Sequence, residues 1–289
     1  MELAKYWKDY EILDMADGEK LERWGDIYLI RPDPQIIWKE KSKPSLWKNA
    51  HARYIRSNTG GGRWEYLKSL PNSWQIKFKD LKFNIKLMGF KHTGLFPEQA
   101  VNWDWMINKI RAEKRDIKVL NLFAYTGGAT VACLSAGASV CHVDSSKGMV
   151  SWAKENVNSS GLGEKSIRYI VDDVSKFVQR EIRRGNKYDA IIMDPPSYGR
   201  GKNGEVWQFE SGIGDLVELC TKILKEKPLF FLINSYTTGI SSKVLENVLR
   251  LNIKNDNCVF SSGEIGLPMT NSNIVLPCGI YGKCERKNK

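Results

Sequence analysis

Histidine is almost missing from this chain of 289 residues: His51, His92 and His142 are the only three, and they share no spacing that would ligate zinc. The six cysteines, Cys133, Cys141, Cys220, Cys258, Cys278 and Cys284, include no CxxC pair. That excludes the common zinc ribbons and dithiol redox motifs, and several of these thiols sit in apolar runs where they act as small hydrophobes. No bound metal is therefore expected. No segment approaches the roughly 20 apolar residues of a membrane span, and charges interrupt residues 1–10 where a leader's apolar region would lie. The expected setting is cytoplasmic, with no membrane partner. Repeats and low-complexity stretches are missing too.

Acidic residues are outnumbered, 33 against 44 Lys and Arg, for a formal charge of +11. Such an excess favours a polyanionic partner, and RNA is the expected one. The charges are dispersed, and the one basic run, 283–289, reads as a solvated terminus. A chain of this length can bury one full α/β domain and a smaller companion.

The texture divides near residue 95. Before it, the runs 27–30, 74–78 and 83–87 alternate at period two and read as strands. Turn residues separate them at 16–18, 31–34, 58–62 and 70–72, giving a small β-rich domain over 1–95. From residue 96 to 289 strands and helices alternate. Strands are expected at 117–123, 139–143, 167–171, 188–193 and 229–234, and helices at 100–112, 127–136, 146–159, 174–184, 210–225 and 241–252. Two closing strands, 258–262 and 273–280, have no helix between them and read as an antiparallel pair at one sheet edge.

Three strand ends carry ligand chemistry. Val119-Leu120-Asn121-Leu122-Phe123-Ala124-Tyr125-Thr126-Gly127-Gly128 is an apolar strand ending in a glycine turn that opens a helix, which lets backbone approach a ligand closely. A dinucleotide fold needs G-x-G-x-x-G there; Phe123, Ala124 and Tyr125 stand in place of the first glycines, which disfavours NAD and leaves S-adenosylmethionine. The second strand ends at Asp144-Ser145, where a carboxylate can accept from both ribose hydroxyls. The third ends at Asp172-Asp173-Val174: Asp173, or less well Asp172, can take the adenine amino group, with the Val174 N–H on a ring nitrogen. The alternative for Asp173 is an N-cap of the next helix.

The fourth strand runs into Asp194-Pro195-Pro196-Ser197-Tyr198. Two prolines fix the backbone and remove donors, leaving the Asp194 carboxylate and prolyl carbonyls as acceptors beside an aromatic ring. That array suits a planar ring bearing an amino group, with Tyr198 stacking on it. Next comes Arg200-Gly201-Lys202-Asn203-Gly204, readable as a solvated loop or as a lid gripping phosphate. Trp64, Trp74, Trp103 and Trp105 read as packing residues.

Together with Thr93-Gly94-Leu95-Phe96-Pro97-Glu98-Gln99, these motifs resemble the bacterial methyltransferases that modify bases of 23S ribosomal RNA, over roughly residues 90–280. The resemblance implies a Rossmann-like class I methyltransferase fold: α/β, a seven-stranded mainly parallel sheet with a C-terminal antiparallel hairpin. It implies that Phe96 and Gln99 border the methionine end of S-adenosylmethionine, that 123–128 with Asn121 wraps the cofactor, and that Asp144 with Ser145 holds the ribose. It places the adenine at Asp173, and the acceptor at Asp194, Pro195, Pro196 and Tyr198, with Asp194 also at the cofactor. Relatives that methylate cytosine C5 carry a nucleophilic cysteine after the fifth strand, where this chain reads Leu232-Ile233-Asn234-Ser235-Tyr236-Thr237. Methylation of a nitrogen in ribosomal RNA is the resulting expectation. Its competitors are methylation of a protein side chain or small molecule, a nicotinamide oxidoreductase, and a non-catalytic RNA-binding module.

Overall fold

The structure is a computed structural model and describes residues 1–57, 61–200 and 206–287. The chain divides into two compact units: Leu3–Val101 with Gly266–Pro277, and Asn102–Ile265 with Met1–Glu2 and Cys278–Lys289.

The N-terminal stretch supplies β1 (Glu2–Leu3), β2 (Tyr10–Ala16), β3 (Glu19–Trp24), β4 (Ile27–Pro32), α1 (Pro44–Trp47), β5 (Ala52–Arg56), β6 (Gly62–Tyr66), β7 (Trp74–Phe78) and β8 (Leu81–Ile85). Strands β2 to β6 form a five-stranded sheet in sequence order, and β7–β8 is a separate hairpin. Asp17 and Gly18 (φ 50° and 77°) make the left-handed pair that reverses β2 into β3. Trp47 of α1 packs on Leu21, Ile30 and Ala50. Its indole donates to Asp14 at 2.8 Å, and the same carboxylate accepts from Ser42 Oγ at 2.6 Å and the Lys43 N–H at 2.9 Å.

This unit also buries an ionic cluster. Glu22, fully enclosed, accepts from Arg31 Nε and Nη2 (2.5 and 2.8 Å) and from the Tyr10 hydroxyl (2.7 Å), with Lys20 Nζ at 3.9 Å. Burial alone would raise the Glu22 carboxyl; the Arg31 and Lys20 cations outweigh it and hold the group at about 2.

The second unit carries α2 (Ala100–Arg111), β9 (Lys118–Leu122), α3 (Gly128–Ser135), β10 (Ser139–Asp144), α4 (Lys147–Ser159), β11 (Ile167–Val171), α5 (Val174–Arg183) and β12 (Ala190–Met193). It continues through β13 (Tyr198–Arg200), β14 (Val206–Gln208), α6 (Phe209–Thr221), β15 (Phe230–Ser235), α7 (Ser242–Asn252), β16 (Cys258–Pro268) and β17 (Val275–Arg286). The main sheet has the order β1-β16-β17-β15-β12-β9-β10-β11. Strands β15, β12, β9, β10 and β11, the last at the edge, are parallel, and β17 runs antiparallel to β15. The expected seven strands are present, and the two-residue β1 adds an eighth at the edge. The closing strands are far longer than expected.

Parallel strands are covered on both faces, so they read as unbroken apolar runs. Leu120, Leu122, Ile191, Met193, Phe231 and Ile233 pack with Phe177, Val178, Phe209, Val217, Leu245 and Leu249 of α5, α6 and α7 in one cluster. At the strands' N-terminal edge Asp189, buried, accepts from the Lys118 N–H (2.9 Å), Lys225 Nζ (2.9 Å) and Arg115 Nη1, joining β9 to β12. Among the described residues no helix is long and apolar enough to cross a membrane.

Candidate active site

The turn from β9 to α3 is left-handed at Phe123 (φ 53°), Tyr125 (51°) and Gly127 (84°). Two of these are not glycine, and each such residue costs on the order of 1–3 kcal/mol unless its surroundings impose the shape. They do. The Ala124 N–H donates to the Val143 carbonyl (3.0 Å), the Tyr125 N–H to Asp144 Oδ2 (2.9 Å), and Asn156 Nδ2 of α4 to the Thr126 carbonyl (2.8 Å). A Cβ on Gly127 would stand 2.9 Å from that of Ala153, and one on Gly128 2.7 Å from the Trp103 ring, so both glycines permit close packing under the turn.

Asn121 does not reach the edge. Its amide is buried and donates to Thr130 Oγ1 (3.0 Å), which in turn meets His142 Nδ1 (2.9 Å). A buried amide must be satisfied where it lies, and this relay between β9, α3 and β10 supports the turn from below. His142 is pushed down to about 4 by burial and is neutral.

Asp144 ends β10 half-buried. Each oxygen accepts one backbone N–H, Oδ2 from Tyr125 and Oδ1 from Ser146 (2.8 Å), which leaves a lone pair on each for two adjacent hydroxyls. Burial raises its carboxyl above the ordinary value despite the two donors. The Asp172 N–H donates to the Asp144 carbonyl at 3.1 Å, bringing the third station beside the second. Asp173 is the N-cap of α5: Oδ1 accepts from the Lys176 N–H at 2.9 Å. One of its oxygens is thus committed to the helix, while the side chain is exposed. Asp172 pairs with Arg180, Ser145 is exposed, and Val174 begins α5 buried. Phe96 and Gln99 belong to the N-terminal unit, as the N-cap and the last residue of a 3₁₀ turn whose Pro97 carbonyl accepts from the Trp7 indole at 2.9 Å.

Asp194 follows β12, half-buried; Pro195 is buried and Pro196 exposed. The chain then forms the hairpin β13–β14, which sequence reading missed. Its partner residue Trp207 donates its indole N–H to the Pro196 carbonyl at 2.7 Å. The Pro196 carbonyl is thus already engaged within the hairpin. Tyr198 is 50% exposed, its hydroxyl accepting from Arg200 Nε at 3.0 Å. Of the segment 200–204, only Arg200 lies within the described residues.

At the position of the absent cysteine, Ser235 is buried and accepts from the Thr237 N–H (3.1 Å), while Thr237 Oγ1 donates to Ser197 Oγ (2.9 Å). Burial raises the thiols of Cys133, Cys141, Cys220, Cys258 and Cys284, the opposite of what a nucleophile requires. Trp103 and Trp105 pack against Gly128 and Phe230, and Trp64 and Trp74 bond backbone carbonyls of their own unit. Among the described residues no group of three or more His, Cys, Asp and Glu converges on a metal position.

The donor set at the β10 end fits a nucleoside: a carboxylate with two lone pairs in reserve beside a constrained turn at a helix start. A family model described as S-adenosylmethionine-dependent methyltransferase matches residues 50–234, beginning earlier than the motifs alone indicate. A crystal structure of the SAM-dependent methyltransferase from Agrobacterium tumefaciens superposes with a TM-score of 0.94 at 35% identity, covering 99% of this chain and 93% of that one. Ribosomal RNA large subunit methyltransferase K of Neisseria meningitidis is 30% identical over 81% of this chain and 66% of its own length. Ribosomal RNA large subunit methyltransferase I of Photobacterium profundum is 30% identical over 53% of this chain and 38% of its own. The chain thus spans no more than about two thirds of the curated relatives described here. Its matched residues, its fold and its strand-end chemistry agree: the chain belongs to the S-adenosylmethionine-dependent methyltransferases.

Proposed function

We propose that the protein methylates an amino nitrogen of a nucleobase in RNA, and specifically in ribosomal RNA. The observation that carries this reading is the segment Asp194-Pro195-Pro196-Ser197-Tyr198 directly after β12, half-buried at Asp194 and half-exposed at Tyr198. S-adenosylmethionine, when bound, supplies the methyl group as an electrophile on its sulfonium. Asp144 would hold the ribose hydroxyls, Asp173 and the Val174 N–H the adenine, and the 123–128 turn and Ser145 would border the cofactor. Tyr198 stacks on the acceptor ring. Asp194 and Pro195 accept the two amino hydrogens, which turns the nitrogen lone pair toward the methyl carbon. With the cofactor bound and its methyl transferred, the Asp194 carboxylate would take the surplus amino proton.

Three further points support the nucleic-acid side of the reading. The chain carries a formal charge of +11, its relatives are named as ribosomal RNA methyltransferases, and Arg200 lies beside Tyr198 where a phosphate could be met. Nitrogen rather than carbon is supported by Ser235 and Thr237, which hydrogen-bond at the position where a carbon-methylating relative needs a thiolate.

Mass spectrometry of nucleosides from total RNA, with and without the gene, tests this directly. One N-methylated nucleoside should vanish on deletion. A missing C-methylated nucleoside would overturn the choice of atom. Unchanged RNA, with RNase-treated lysate still accepting labelled methyl, would move the acceptor to a protein or small molecule.

A further inference from the structure

The β13–β14 hairpin has two unlike faces. Directly paired residues share a face, so Gly199 and Trp207 lie on one side, while Tyr198, Gln208, Arg200 and Val206 lie on the other. The Tyr198 side is open, with Tyr198 and Val206 both exposed. On the opposite side the Trp207 indole is held three ways. Its N–H donates to the Pro196 carbonyl at 2.7 Å, its ring lies 5.8 Å from the Phe123 ring at an interplanar angle of 43°, and it sits flush on α6, where a Cβ on Gly212 would approach it to 2.7 Å.

We propose that Trp207 is the positioning residue of the acceptor site, an inference that rests on reading Asp194 to Tyr198 as that site. Its N–H fixes Pro196, which keeps the Pro195 carbonyl and Asp194 aimed at the amino group. Its ring buttresses Phe123, a left-handed residue of the cofactor turn. The two halves of the indole therefore do separable work. Methyl transfer and cofactor binding meet at this one side chain.

The separation gives the test. Trp207→Phe removes the N–H and keeps a ring, so kcat for transfer from labelled S-adenosylmethionine to RNA from cells lacking the gene should fall about tenfold, while S-adenosylhomocysteine affinity stays at the wild-type value. Trp207→Ala removes both and should weaken S-adenosylhomocysteine as well. Hydrogen exchange of the Tyr198–Arg200 and Val206–Gln208 amides should accelerate in both variants. Trp207→Phe with unchanged kcat overturns the inference, as does a parallel loss of kcat and S-adenosylhomocysteine affinity. Asp194→Ala is measured alongside: if it transfers methyl normally, or if wild-type protein labels no RNA, the acceptor reading fails instead. Hairpin exchange then decides the role of Trp207, and unaltered exchange overturns it.

Discussion

Strand β12 is four residues long and has an aspartate at each end, and the two differ in burial. Asp189, at the N-terminal edge of the sheet, is wholly buried and accepts from Arg115, Lys225 and a backbone N–H. Asp194, at the C-terminal edge, is only half-buried and stands beside a proline and an exposed tyrosine. Asp144, ending β10 at that same edge, keeps acceptor capacity in reserve. One edge of the sheet thus spends its carboxylate on joining strands, while at the other Asp144 accepts only two backbone N–H groups. Placement relative to strand direction, rather than residue type, separates the two uses.

The comparison can be broken most forcefully at Asp194. Asp194→Ala should lower methyl transfer by a factor on the order of 10² to 10⁴ with cofactor affinity and melting temperature retained. A variant that melted early would make Asp194 another strand-joining group. Asp189→Ala should do the reverse: a loss of about 2 kcal/mol in denaturant unfolding, since both cations can swing to solvent, with turnover per folded molecule unchanged. Asp144→Ala should weaken S-adenosylhomocysteine about ten- to a hundredfold in calorimetry while leaving stability largely intact.

The smallest effect is on pH. Burial raises the Asp144 carboxyl, so its charge is lost early as the solution is acidified. For Asp189 burial acts in the same raising direction, but Arg115, the Lys118 N–H and Lys225 outweigh it and lower the folded value. Its stabilisation is present above the unfolded carboxylate pKa and is lost only as pH falls through the lower folded one. On titration from neutral to about pH 3, S-adenosylhomocysteine affinity should therefore decline before the melting temperature responds to Asp189. Simultaneous decline would mean the two edges are not electrostatically distinct.

The cofactor half was readable because parallel strands buried on both faces are apolar throughout and end abruptly in a turn or a carboxylate, as at Leu122-Phe123 and Val143-Asp144. Asn121 looked like one more such residue, yet its neighbours Thr130 and His142 are polar partners only in space. Asp173 carried both a ligand and a capping signature, and its bond to the Lys176 N–H shows the second in use. The N-terminal strands β2 and β3 were obscure, because Asp14, Lys20 and Glu22 are buried there as partnered charges and break the alternation of apolar and polar residues. Trp207 escaped notice since its partners Phe123, Pro196 and Gly212 are scattered along the chain. The one local signal was Val206-Trp207-Gln208, a short β-prone run after Gly204.

The tip of the β16–β17 hairpin, Gly266–Pro277, belongs to the N-terminal unit. There Thr270 donates to Glu11 at 2.6 Å, its carbonyl accepts from Lys43 at 2.8 Å, and Ile12 pairs with Met269. Residues separated by some 259 positions must therefore meet before this unit is finished. During synthesis the N-terminal strands emerge first, but their edge waits for nearly all of the remaining chain to leave the ribosome. Of the two units, the one whose strands come earlier in the sequence is the one that needs the later segment to be completed.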